Sequence, residues 1–480
     1  MTTTRFLEGE FAPLHEEYTL TDLDVEGNIP DYLDGRYLRN GPNPIGELDP
    51  ELYHWLIGDG MVHGIRIRDG KAEWYRNRWV RGPNAAKALG ETPPAGHYGV
   101  FPIGANTNVI GHAGKTLALV EGGVPNYELT DELDTVGVCD FDGTLTGGYT
   151  AHPKRDPETG ELHAVSYNAN RGNTVQYSVI DVEGRARRSV DIEVCGSPMM
   201  HDFSLTEKYV VFYDLPVTFD ARQMAEMTAP RALRLPVRLM LSALIGRVRI
   251  PDPIAARLPV PKGSDRRLPY SWNPKYPARV GVMPREGGNA DMRWFDVEPC
   301  WVFHPMNAYD EGDTIVLDVI RHPKMFATDH LGPNEGPPTL DRWTVDLADG
   351  KVRESRFDDR GQEFPRVDER LVGKRHRYGY APEIGETGGA ETLLKHDFHG
   401  GTTQARSFGA EKALGEFVFY PSADDAAEDD GVLMGYIYDQ PTDRSELAIL
   451  DAQTLQDIAS IKLPHRVPAG FHGNWVPSAG

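Results

Sequence analysis

Four histidines in this chain share one setting: each stands at the edge of an apolar or aromatic stretch that reads as a strand. They are His152 in YTAHPK, His201 in PMMHDF, His304 in VFHPMNAY and His472 in GFHGNW. A lone buried histidine is ordinarily a core residue that has found a hydrogen-bond partner. Four neutral imidazoles meeting at one point would instead be a nitrogen donor set for a transition metal. Their separations are 49, 103 and 168 residues, close to one, two and three times a unit of about 50–56 residues, the size of a β-propeller blade. Inner strands of a propeller all begin near its axis, so four blades could each bring one imidazole there. Taken alone, the spacing leaves a shared metal site and unrelated core histidines equally open, since the chain has 16 histidines. The short-range signatures HExxH, paired CxxC and the EF-hand loop are absent from the sequence.

The elements that would position these residues are strands. The stretch GTLTGGYTAHPKRDPETGELHAVSYN reads as strand, Pro/Gly turn and strand, and NTVQYSVIDVEGRARRSVDIEV follows as a hairpin turning at Glu183-Gly184. YVVFY at 209–213 is an apolar strand, and DGVLMGYIYDQPTDRSELAILDAQTLQDIASIKLP has the cadence of three more. The 50 glycines and 37 prolines are spread along the whole chain, as many short strands joined by turns require. An all-β fold of the sandwich, barrel or propeller kind follows, in a single domain over 1–480 because no linker divides the chain.

One segment departs from this pattern. LPVRLMLSALIGRVRIP, residues 235–251, repeats apolar residues at Val237, Met240, Leu241, Leu244, Ile245 and Val248, the period of an amphipathic helix. It predicts a helical insertion at about 229–250. Residues 229–268 hold nine Arg/Lys against two Asp, within a chain of net charge −22. That overall charge argues against a nucleic-acid partner, which needs a basic face. Three dispersed cysteines give no disulfide framework. MTTTRFLEGEFAPLHEEY at the N-terminus has no apolar core and does not read as a signal peptide. A cytoplasmic location is therefore expected, with peripheral contact on the inner face of the cell membrane if the helix docks there.

The segments GRYLRNGPNP, HWLIGDGMVHGIRI, ALVEGG, AHPKRDPETGELHAVSYN, MMHDFSLTEKYVVFYDLPVTF, FHPMNAYDEGDTIVLDVIRH, EFPRVDERLVGKRHRYGY and GFHGNW run in this order from about residue 18 to 476. Together they resemble the carotenoid cleavage oxygenases of the bacterial, intracellular type. The resemblance implies a seven-bladed β-propeller with one non-haem Fe(II) per chain on its axis, held by His152, His201, His304 and His472. It also implies that Glu121, Glu363 and Glu416 accept hydrogen bonds from three of those imidazoles, fixing their tautomers. No catalytic side chain beyond the metal site is implied. His54, His63 and His399 read as structural.

The reaction so implied is scission of a C=C bond by O2 as co-substrate, giving two carbonyl products by a dioxetane-like or an epoxide-like route. Relatives that cleave phenolic stilbenes place a lysine before the first of these glutamates and bring a tyrosine from upstream; here the residue before Glu121 is Val120, and the upstream stretch 82–96 has Lys87 but no tyrosine. An apolar Val120 suits a carotenoid or apocarotenoid better than a stilbene. Val120, Phe303, Phe471 and Trp475 are candidates to line an apolar tunnel, with ordinary core packing as the alternative for each aromatic. A polyene dissolves in membranes, so the 235–251 helix, flanked by Arg238, Arg247 and Arg249, is a candidate docking surface. No protein partner is implied. A reading of a different class, a catalytically silent interaction scaffold on the same fold, would have no use for four filled ligand positions.

Overall fold

The computed structural model describes residues 6–96, 103–251, 254, 267–331, 335–385 and 389–478. Its strands form seven antiparallel sheets, the blades of a seven-bladed β-propeller, together with a small two-stranded sheet, Val217–Phe219 with Tyr270–Trp272. Most blades are meanders built from consecutive strands, as in Lys154–Arg155, Leu162–Ser166, Thr174–Ile180 and Ala186–Glu193. Blades stack face to face, so their middle strands are buried on both faces and read as continuous apolar runs. Tyr209–Asp214 is such a strand, and it pairs with Arg279–Pro284 in the register Phe212↔Gly281. Outer strands alternate instead, as in Lys351–Asp358, where one face carries charge into solvent.

The ring is closed at both ends of the chain. Gly473–Pro477, near the C-terminus, pairs with Gly35–Pro42, while Asp24–Gly27, near the N-terminus, pairs with Asp457–Lys462. Each terminal strand thus completes a blade begun at the other end. This circular closure ties the first and last blades together and makes the position of His472 depend on residues over four hundred places away.

Trp475, expected beside the tunnel, has another task. It lies on the closing strand, 8% exposed, in a core cluster with Tyr37, Ile65, Val432 and Leu447, and its ring is 5.5 Å from that of Tyr420. It faces the seam between the first and last blades because side chains alternate along a strand.

The helical insertion is also corrected. A helix at Ala221–Thr228, capped by the Asp220 carboxylate at the amides of Arg222 and Gln223, precedes a second at Arg234–Leu244, against which it packs. The second helix stops at Leu244 rather than near Pro251 because Gly246 adopts φ +74°, a left-handed turn that ends helices. Arg249 beyond it joins an isolated bridge with Arg171. The stripe read from the sequence is split: Leu241 is buried, Val237, Leu244 and Ile245 are partly so, and Met240 and Val248 are exposed. The exposed apolar face is made by Leu233, Leu235 and Leu239 with Met240, and Leu235 and Leu239 are 63% and 62% exposed. Arg257, Lys262 and Arg266 of the basic stretch lie outside the described residues.

Replacing Trp475 by alanine is expected to cost about 3–5 kcal/mol, the usual price of emptying an aromatic core position. The unfolding midpoint in urea should fall while any substrate preference stays unchanged; an unaltered midpoint would remove Trp475 from the closure.

Candidate metal centre

Each of the four histidines sits where an inner strand begins or bends. His152 precedes Lys154–Arg155, His201 precedes Phe203–Leu205 and His472 immediately precedes Gly473–Pro477. Loops ahead of these strands are held by side chains: Asn108 Nδ2 donates to the carbonyl of Ala151, and the His152 amide donates to Thr150 Oγ1. The backbone of His472 is gripped on both sides, its amide donating to Thr107 O and its carbonyl accepting from the Asn40 amide. His304 lies inside a long strand, Trp301–Glu311, next to Pro305. Pro305 has no N–H for the ladder, and the register shifts on both sides of it, an irregularity that re-aims neighbouring side chains.

All four imidazoles converge. Ring centroids are 4.3 Å apart for His152 and His201, 4.7 Å for His152 and His472, and 4.7 Å for His304 and His472. His201 Nε2 and His304 Nε2 are 3.2 Å apart, and ring nitrogens of His152, His304 and His472 lie within 4.8 Å of one another. The four residues are 5–8% exposed. Buried His152 Nε2 has no hydrogen-bond partner among the described residues, as expected of a lone pair reserved for a cation.

Behind three of the rings stand the three glutamates. His201 Nδ1 lies 2.8 Å from Glu121 Oε1, His304 Nδ1 2.6 Å from Glu363 Oε2, and His472 Nδ1 2.9 Å from Glu416 Oε1. A proton on each Nδ1 donates to its carboxylate and leaves Nε2 free to point inward. Glu416 is also held by the Gly473 amide at 2.8 Å, and the Phe364 amide donates to Glu363 at 2.6 Å. Arg366 adds positive charge 3.4 Å from Glu416.

Electrostatics follow the same division. Burial foremost, then the neighbouring rings, holds His152 well below the usual imidazole range. Burial also depresses His304, more than Glu363 raises it. For His201, burial opposes the charged form but the Glu121 carboxylate outweighs it and lifts the ring. Burial would raise Glu416, yet Arg366 and His472 bring it down to about 2. Glu363 is likewise pulled below its ordinary value against burial by His304 and His322.

His322 was not foreseen from the sequence. Its Nε2 lies 2.8 Å from Glu363 Oε1 and the residue is 1% exposed, so Glu363 bridges two imidazoles. Its only sequence signal is the RHP that ends the strand Thr314–His322, paired across the sheet with Trp301. Of the three histidines read as structural, His63 Nδ1 meets Tyr75 OH at 2.9 Å, His54 accepts from the Leu56 amide at the cavity wall, and His399 is exposed in a turn.

A cavity of about 950 Å³ opens on this cluster, lined by Val120, Phe303 and Phe471 together with Tyr167, Tyr270 and Met224 of the first helix. Phe303 packs edge-on against His201 at 4.9 Å. Trp475 does not belong to the lining described.

The chain matches the family model described as retinal pigment epithelial membrane protein over residues 11–477. It is 58% identical to a carotenoid cleavage oxygenase of Mycobacterium tuberculosis, covering 98% of this chain and 97% of that one. Among solved structures it resembles cobalt-substituted Synechocystis apocarotenoid oxygenase, with TM-score 0.79 and 30% identity over 97% of each chain. It also resembles the lignostilbene dioxygenase of Pseudomonas brassicacearum, with TM-score 0.82 and 26% identity over 99% of each.

Proposed function

The chain belongs to the retinal pigment epithelial membrane protein family, and from that premise we propose that it is an Fe(II)-dependent oxygenase cleaving a C=C bond of a carotenoid or apocarotenoid. The observation that carries this reading is the donor set: four inward Nε2 atoms, three of them backed by carboxylates. Neutral nitrogen ligands suit iron, and the buried Glu363 and Glu416 with the partly buried Glu121, against the guanidinium of Arg366, leave two negative charges for a divalent cation to balance. The cobalt-substituted Synechocystis relative is in keeping with a metal of this class.

His152, His201, His304 and His472 would hold the iron, and Fe(II) bound there would supply the activation of O2 for insertion across the alkene. Glu121, Glu363 and Glu416 keep the Nδ1 protons in place, so the rings neither rotate nor switch tautomer. Val120, Phe303 and Phe471 present apolar surface to the chain of the substrate and keep bulk water from the alkene. The alkene and O2 become two carbonyls with no net proton gained or lost, which is why the site needs no acid–base side chain. A stilbene is the second reading, favoured by the lignostilbene relative. It lacks a cationic handle at Val120, and Tyr98, just beyond 82–96, lies outside the described residues.

Substrate would reach the cavity from a lipid surface. Met224 on Ala221–Thr228 lines the cavity, and the adjoining helix carries the exposed Leu235, Leu239 and Met240 beside Arg234 and Arg238. Apolar side chains flanked by arginines suit an interface of anionic lipid. Among the described residues no helix is long and apolar enough to cross a membrane.

Two measurements test this reading. Alanine at any of the four ligand histidines should abolish polyene cleavage and lower iron per chain. Glu121→Gln and Glu363→Gln should each weaken iron binding about 10–100-fold in chelator competition. Glu363→Gln should show the larger loss, because it also releases His322. Purified protein without iron would support a silent scaffold instead, and two alanine variants with full iron and turnover would overturn the site assignment. Separately, Leu235→Glu with Leu239→Glu should reduce binding to anionic vesicles and cleavage of membrane-dissolved carotenoid, with thermal stability and cleavage of a short detergent-dispersed apocarotenoid unchanged. Undiminished vesicle binding would show that this face is not the docking surface.

A further inference from the structure

One part of the cavity wall is polar in a way the cleavage reaction does not use. It lies beside the closing strands, where Gly35–Pro42, Gly431–Asp439 and the segment around Glu10 meet. Arg39 faces the cavity there although it is only 3% exposed. One terminal nitrogen donates to the carbonyl of Pro468, but its Nε is buried without a hydrogen-bond partner, and no carboxylate lies within ion-pair distance among the described residues. Its guanidinium stands 5.6 Å over the ring of Tyr436, another cavity residue whose buried hydroxyl is equally unpartnered.

Glycines make room for this arrangement. A Cβ on Gly470 would come within 2.6 Å of Arg39 Cζ, and one on Gly415 would stand 3.9 Å from its Nη1. Both glycines line the cavity, so the guanidinium is approached from two sides by backbone alone. A buried cation with spare donors and an unpartnered phenol facing an apolar cavity call for an oxygen acceptor on the guest. Glu10 faces the same space, and burial raises its carboxyl to about 7. In a cavity whose lining is largely apolar, with this carboxyl on its wall, the acceptor that costs least to bury is a neutral one.

We propose that Arg39 and Tyr436 form a subsite for the carbonyl oxygen at one end of a polyene, setting which double bond lies against the imidazole cluster. The proposal rests on the cavity being the polyene site described above. The closeness of the two features follows from the sheet: Arg39 is the register partner of Gly473, the residue after His472. A polyene ending in a carbonyl is itself the product of an oxidative C=C scission, so a reaction of that class would have to supply such a substrate.

The test uses two linear polyenes of equal length, one ending in an aldehyde and one in the corresponding hydrocarbon. Each is titrated anaerobically into the iron-loaded protein by tryptophan-fluorescence quenching, and each is then turned over in air. Wild type should prefer the aldehyde. Arg39→Gln should lower aldehyde affinity and kcat/KM about tenfold, and Tyr436→Phe about threefold, the loss expected for one hydrogen bond from a charged or a neutral donor. The hydrocarbon should change less than twofold, and the product pattern from the aldehyde should broaden in Arg39→Gln. If Arg39→Gln fails to fold, Tyr436→Phe decides alone. Equal losses for both polyenes, or no preference in wild type, would overturn the subsite and leave Arg39 a tie to Pro468. Selective aldehyde binding without cleavage of either polyene would keep the subsite and overturn the proposed reaction.

Discussion

Three carboxylates stand behind four buried imidazoles, and the rest of the molecule is arranged around that charge. A buried carboxylate without compensation costs several kcal/mol. Here each carboxylate has an imidazole N–H in front of it, Arg366 serves Glu416, and backbone amides of Phe364 and Gly473 complete two of the sets. The balance still leaves room for a divalent cation between the rings. Hydrogen bonds that orient the rings and charge that favours a metal are thus one and the same set of contacts.

The propeller answers this demand because its inner strands all start near one axis. Imidazoles separated by up to 320 residues are brought to ring distances near 5 Å without any long irregular loop. Circular closure then carries the last of the four imidazoles. His472 is placed by strand pairing with Gly35–Pro42 and by amide contacts to Asn40 and Thr107, so Trp475 at the seam supports the site without touching the cavity.

Around the imidazole cluster the same cavity has two characters. Near the imidazoles it is apolar and aromatic, suited to a polyene chain; beside the closing strands it carries Arg39 and Tyr436 with unused donors. An apolar channel alone binds a polyene in many registers, since one methylene more or less changes affinity little. A fixed polar contact at one end supplies the register that apolar contacts cannot.

The sequence by itself determined the all-β class, the four histidines at blade-like intervals and, through motif resemblance, the glutamates that back three of them. Those features are legible because strand periodicity is local and because the ligand positions lie in short, distinctive stretches. Tertiary structure decided what depends on distance through space. His322 joins Glu363 from a neighbouring strand, with no sequence spacing to announce the pair. Trp475 stands close to His472 in sequence yet faces the seam between blades. The helix pattern from Val237 to Val248 could not reveal that Gly246 would turn left-handed or that packing would claim Leu241 and leave Leu235 and Leu239 outside. Arg39 reads as one basic residue in a strand, and only the closing of the ring sets it against an open cavity with no carboxylate in ion-pair distance among the described residues. Local pattern records which face of an element is apolar; which partner meets that face is set by the packing of the whole chain.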